Sequence, residues 1–184
     1  TSGSLTAAKL DLDSYDDTVG AVILTHGSIV GAGGGILTGT SYTFNPASAD
    51  HTVTASAILA GSVTLTKSGV GTANMSGNNT YTGAITMASD SRIESVDGTT
   101  LTINVASGNA IVGVHTLTLG GEGNITISDP VGASNGLELK KLEAGTVTLS
   151  AANTYTGTTT VEAGTLKITG TFSDSTAVTL TGRS

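Results

Sequence analysis

Apolar residues alternate with threonine or serine along most of the chain. Examples are Val63 and Leu65; Leu101, Ile103 and Val105; Leu117 and Leu119; Ile125 and Ile127; Val147 and Leu149; Leu166 and Ile168; and Val178 and Leu180. A period of two sends successive side chains to opposite faces of an extended backbone, so these stretches predict short strands with one buried face. Between them lie Gly31-Ala32-Gly33-Gly34-Gly35, Ser76-Gly77-Asn78-Asn79 and Gly120-Gly121-Glu122-Gly123, built from residues that accept positive φ or bond their own backbone at turns. One segment resists the pattern: Gly136-Leu137-Glu138-Leu139-Lys140-Lys141-Leu142-Glu143-Ala144-Gly145 favours a helix by propensity.

An internal repeat decides that segment in favour of strand. Placing Lys67 over Lys141, an offset of 74 residues, aligns Lys67 to Ile93 with Lys141 to Lys167 without a gap, and ten of the 27 pairs are identical. Five identities form one block, Asn79-Thr80-Tyr81-Thr82-Gly83 over Asn153-Thr154-Tyr155-Thr156-Gly157, and Gly71-Thr72 falls over Gly145-Thr146. Val63 and Leu65 then align with Leu137 and Leu139, in the pattern of a strand. A degenerate third copy is read at Leu37-Thr38-Gly39-Thr40-Ser41-Tyr42-Thr43.

A long repeat made of strands this short implies stacked coils of roughly 20 to 25 residues, with the offset spanning about three coils and the chain about eight. The fold expected is all-β, a right-handed parallel β-helix (β-solenoid) forming one domain over residues 1–184. At ~4.8 Å per coil the rod would be on the order of 40 Å long. Inward Val, Leu and Ile stack on their equivalents one coil away; Asn79, Tyr81, Gly83, Asn153, Tyr155 and Gly157 read as structural corner residues, with Asn amides bonding along the axis. Aromatics are expected to be scarce because the interior is narrow.

Composition agrees: 38% hydrophobic, 11% charged, 3% aromatic, with 26 Gly, 2 Pro and no Trp. That is too apolar and too weakly charged for a disordered chain. The net charge of -7 without a Lys or Arg cluster argues against nucleic acid or anionic membranes as partners. No run approaches the ~20 apolar residues of a membrane span. Nor does the chain open on a basic and then apolar leader, so an export signal, if there was one, is expected to have been removed. The absence of Cys removes disulfides and thiolate chemistry.

The segment from Glu143 to Ile168 runs Gly145-Thr146, Leu149-Ser150, Asn153-Thr154-Tyr155-Thr156-Gly157, Thr159-Thr160-Val161 and Ala163-Gly164-Thr165-Leu166. In that order it closely resembles the passenger-associated repeat of bacterial autotransporters. The upstream copy, Gly69 to Ile93, keeps the first half but has Thr86-Met87-Ala88-Ser89-Asp90-Ser91-Arg92-Ile93 where the family has Val-x-Ala-Gly-Thr-Leu. The resemblance covers about a third of the chain. It implies a parallel β-helix exported to the bacterial cell surface or beyond, in a stalk or adhesive fibre, and it supplies no active site.

Candidate chemistry is sparse. Asp11, Asp13, Asp16 and Asp17 around Tyr15 are a candidate Ca²⁺ site, though without the Gly and distal Glu of an EF-hand loop. The competing reading is a solvated strand edge whose acids discourage unwanted pairing. His26, His51 and His115 stand far apart in sequence, with no His-x-x-x-His pair, and read as corner or surface residues rather than ligands. Polysaccharide cleavage would need converging carboxylates; Asp97 and Asp129 are scattered, Arg92 and Arg183 are the only arginines, and aromatic sugar platforms are few. No cofactor is expected.

The function expected is therefore a non-catalytic extracellular structural or adhesive protein. Neither terminus carries a capping helix and both read as strands, Thr1 to Asp13 and Thr176 to Thr181. Bare solenoid ends suit self-association head to tail, or the neighbouring coils of a longer chain. A host or matrix glycan or protein would be the other partner. The alternative is a carbohydrate-binding or polysaccharide-degrading β-helix.

Overall fold

A computed structural model describes residues 8–75, 79, 82–132, 136–173 and 176–182. The described residues contain 21 strands and no helix, and every strand pair is parallel. The chain visits three faces in turn, as in Lys9–Asp11, Asp17–Thr18 and Ala21–Leu24 before the first face resumes at Gly27–Val30. It is a β-solenoid of about eight coils. The segment 136–145 contributes the strand Glu138–Lys141, so tertiary pairing overrides its helical propensity.

The first face is a continuous nine-stranded sheet from Lys9–Asp11 to Val178–Leu180. The second holds three strands, Asp17–Thr18, Ile36–Thr38 and Ile58–Ala60, and later four more, Thr100–Ile103, Asn124–Ile127, Thr146–Leu149 and Thr165–Ile168. The third holds five, from Ala21–Leu24 to Ile111–Val112, and is prolonged by a parallel bridge from Ile111 to Val131. Coil length varies: Lys9 sits beside Ser28, Thr72 beside Arg92, and Arg92 beside Thr118.

Inward side chains form files along the axis. Val53, Ala73, Ile93, Leu119, Lys141 and Val161 make one on the first face. Leu101, Ile125, Val147 and Leu166 make another on the second, and Tyr42, Leu65, Ile85 and Ile111 a third. Each fully buried aliphatic contributes on the order of 1.5–3 kcal/mol, and each file gains as coils are added. The narrow-interior expectation needs correcting, because Tyr42, Phe44 and Tyr155 are among the largest fully buried side chains.

The two repeat copies do not sit on the same faces. The first runs from the third face (Leu65–Lys67) to the first (Thr72–Met75) and on to the third (Ile85–Met87). The second runs from the first face (Glu138–Lys141) to the second (Thr146–Leu149) and on to the first (Thr159–Val161). The offset of 74 residues thus spans about three coils, as expected, and in detail three coils and one further face. All three corners meet a stacked neighbour above and below, so one local unit of strand, turn and strand fits any of them.

Candidate functional site

The repeat contributes a set of corner groups. Lys67 and Lys141, the aligned first residues of the two copies, are buried at the C-terminal ends of their strands, Leu65–Lys67 and Glu138–Lys141. Lys67 Nζ donates to the carbonyls of Ser68 at 3.0 Å and Gly69 at 2.8 Å. Lys141 Nζ donates to Leu142 at 2.5 Å, Glu143 at 2.7 Å and Ala163, one coil on, at 3.4 Å. A buried ammonium requires such partners, and here it satisfies turn carbonyls that point away from the strand ladders. Burial pushes the pKa of Lys67 down to about 8. The alignment paired these lysines but did not reveal their burial; the signal was a Lys in the apolar phase of each strand, after Leu65 and after Leu139.

Asn79 and Asn153 perform one task. Asn79 Oδ1 accepts from the backbone N–H of Leu59 at 2.9 Å, and Asn153 Oδ1 from that of Val131 at 3.1 Å. Asn153 Nδ2 also donates to Ala151 and, one coil on, Thr171, both at 3.0 Å. The amide therefore continues a ladder on a face where the repeat makes no strand, and the partners of Asn153 are backbone groups. Gly83 and Gly157 are required by space: a Cβ would lie 2.2 Å from the carbonyl oxygen of Val63 or of Leu137. Tyr155 is wholly buried, with its hydroxyl 2.7 Å from Thr159 Oγ1 and its ring edge-on to Phe172. Burial pushes its phenol up to about 12, and it offers no platform for a sugar. Tyr81 lies outside the described residues.

The four aspartates near the first strand take separate partners. Asp11 is 2.7 Å from Lys9 Nζ and also accepts from the Asp13 N–H, which together hold its carboxyl below the usual range. Asp16 accepts from Ile36 N–H at 3.0 Å and Asp17 from Thr18 N–H at 2.8 Å. Asp13 has φ 51°, and its carbonyl receives the N–H groups of Gly33 and Gly35. Among the described residues no three His, Cys, Asp or Glu side chains gather where they could hold a metal ion.

The most developed polar cluster lies midway along the first face. Arg92 pairs with Glu94 beside it and, two coils away, with Glu143 Oε1 at 2.5 Å. Glu143 Oε2 accepts from the Gly121 N–H at 2.9 Å. Burial tends to raise the Glu143 carboxyl, but that N–H and the guanidinium outweigh it and hold the pKa below the ordinary value. Gly120 leaves the passage open, since a Cβ there would stand 2.1 Å from Glu143 Oε2. Glu143 has φ 56°, where the first copy has Gly69 at φ 70°. A non-glycine residue in that region is uncommon, and here the carboxylate reaches a partner that the conformation allows.

Shallow grooves of about 340 and 380 Å³ flank Arg92. Asp97 lines one of them with Glu94, Glu122 and Glu143. Asp129 is elsewhere, accepting from Val105 N–H at 2.8 Å, so the two scattered aspartates do not converge. Glu94 and Glu143 share one cation. A cleaving pair needs one carboxyl kept protonated, and the lowered pKa of Glu143 opposes that.

Of the three histidines, the structure brings two together. The rings of His26 and His51 lie with centroids 4.3 Å apart at 62°, one coil from each other, which chain separation concealed. His115 Nδ1 is 3.8 Å from Asp90.

Residues 65–89 and 139–168 match the family model described as passenger-associated-transport-repeat. No curated protein and no solved structure matches the chain.

Proposed function

We propose that this chain, which carries two passenger-associated transport repeats on a β-solenoid, is a non-catalytic structural or adhesive rod of the bacterial cell surface or extracellular space, extended head to tail through its terminal strands. The repeat and the solenoid together fit an autotransporter passenger-like surface protein. Support for axial extension comes from the two ends of the first face. The Lys9–Asp11 strand presents Leu10 at 47% exposure, and the Val178–Leu180 strand presents its two apolar residues at 50% and 76%. In the preceding second-face strand Leu166 and Ile168 are only half-buried. A parallel strand laid on either edge would complete its hydrogen bonds and cover those side chains, whether it belongs to a second copy or to further coils of a longer chain.

Negative-stain electron microscopy of the purified chain, with and without chelator, tests this reading. Filaments are expected, and Val178→Lys with Leu180→Lys should shorten or abolish them while leaving the circular-dichroism spectrum β-rich. Rods of on the order of 40 Å at all concentrations would count against self-association and direct attention to glycan or matrix binding at the grooves beside Arg92. Filaments lost only with chelator would favour calcium at Asp11, Asp13, Asp16 and Asp17.

A further inference from the structure

His26 closes the corner between Ala21–Leu24 and Gly27–Val30, and His51 immediately precedes Thr52–Ala55 on the next coil. Gly27 pairs with Val53, so the two histidines stand one residue out of register on adjacent coils. The backbone of His51 is held on both sides: its N–H donates to Ser48 at 3.0 Å and its carbonyl receives Thr72 N–H at 2.9 Å. Its Nδ1 is buried without a hydrogen-bond partner, an unusual condition for an imidazole nitrogen. The His26 side is exposed and borders a shallow cleft with Ala8, Lys9 and Ser28. Two charges lie close. Asp50 adjoins His51, and Lys9 beside His26 is already paired with Asp11.

We propose that His26 and His51 form a two-imidazole site for a borderline divalent transition-metal ion, Zn²⁺, Cu²⁺ or Ni²⁺, that clips one coil to the next. Neutral imidazole is the preferred ligand of these ions. Two nitrogens on a tetrahedral ion at about 2.0–2.1 Å are about 3.4 Å apart, and the two rings stand with centroids 4.3 Å apart. Water fills the remaining positions, and Asp50 adds a favourable field. The unpartnered nitrogen of His51 gains a ligand bond. A metal-bound folded state is stabilised by mass action.

Titration of the full chain with ZnCl₂ by calorimetry and thermal melting tests the site. One ion per chain is expected, with a rise in melting temperature that saturates as metal is added. His26→Gln, at an exposed position, should weaken binding at least tenfold, and His115→Gln should leave it unchanged. With CuSO₄, electron paramagnetic resonance should show coupling to two imidazole nitrogens. Absence of binding at millimolar metal, full retention in His26→Gln, or coupling to a single nitrogen would overturn the assignment.

Discussion

Lys67 is the clearest case of a residue whose surroundings decide its chemistry. A lysine exposed in the unfolded chain titrates near 10.5, and burial lowers Lys67 to about 8 in the fold. Between those values the unfolded chain binds more protons, so the contribution of this residue to stability rises with pH across the window and is level below it. The urea midpoint of the parent chain should therefore move up between pH 7.5 and 9.5 relative to that of Lys67→Met. Parallel pH dependence in the two proteins would contradict the burial argument. Lys141 is displaced in the same direction by burial, opposed by Glu143 and Glu122, so its influence is smaller.

At the scale of the element, the repeat is a unit of strand, corner and strand whose shared identities, Lys, Gly-Thr, Asn and Gly, fall mainly at its corners. Its glycines are contact points where the backbone of one coil touches the next. A Cβ on Gly145 would stand 1.9 Å from the Gly123 carbonyl oxygen, and one on Gly157 2.2 Å from that of Leu137. Gly157→Ala should cost about 1–3 kcal/mol as backbone neighbours are forced apart, measured by chemical denaturation. Gly98→Ala meets nothing within 4 Å; it tests backbone conformation alone, at φ 73°. If the two substitutions cost the same, crowding is not the reason for glycine in the repeat. The alignment exposed these positions, but the sequence could not distinguish a glycine needed for space from one needed for positive φ.

On the scale of the molecule, stability accrues by nearest-neighbour stacking, since each coil contacts chiefly the one before and the one after. The interior of the second-face file is covered on both sides, with Ile125 and Val147 essentially unexposed, while Leu166 at its end is half-buried. Amide exchange followed by mass spectrometry should show protection factors in Asn124–Ile127 exceeding those in Thr165–Ile168 by orders of magnitude. Uniform protection would mean a single cooperative unit, or an end already capped by another copy. The Arg92–Glu143 pair belongs to this scale too, because it links residues two coils apart across the notch at Gly120.

Alternation of Val, Leu and Ile with Thr sufficed to determine the strands, and the 74-residue repeat sufficed to stack them as a parallel solenoid of about eight coils. Both are local properties: the pleat has a period of two whatever lies above it, and a corner sequence makes the same corner wherever it occurs. Tertiary structure alone decided which residues meet between coils. Coil length varies with the turns, as Thr72 beside Arg92 and Arg92 beside Thr118 show, so no fixed spacing relates one coil to the next. The rotation of the second repeat by one face, the pairing of His26 with His51 and the reach of Glu143 to Arg92 all depend on that accumulated length. Burial of Tyr155 and the two lysines depends on it as well, because an inward position is enclosed only when a neighbouring coil covers it.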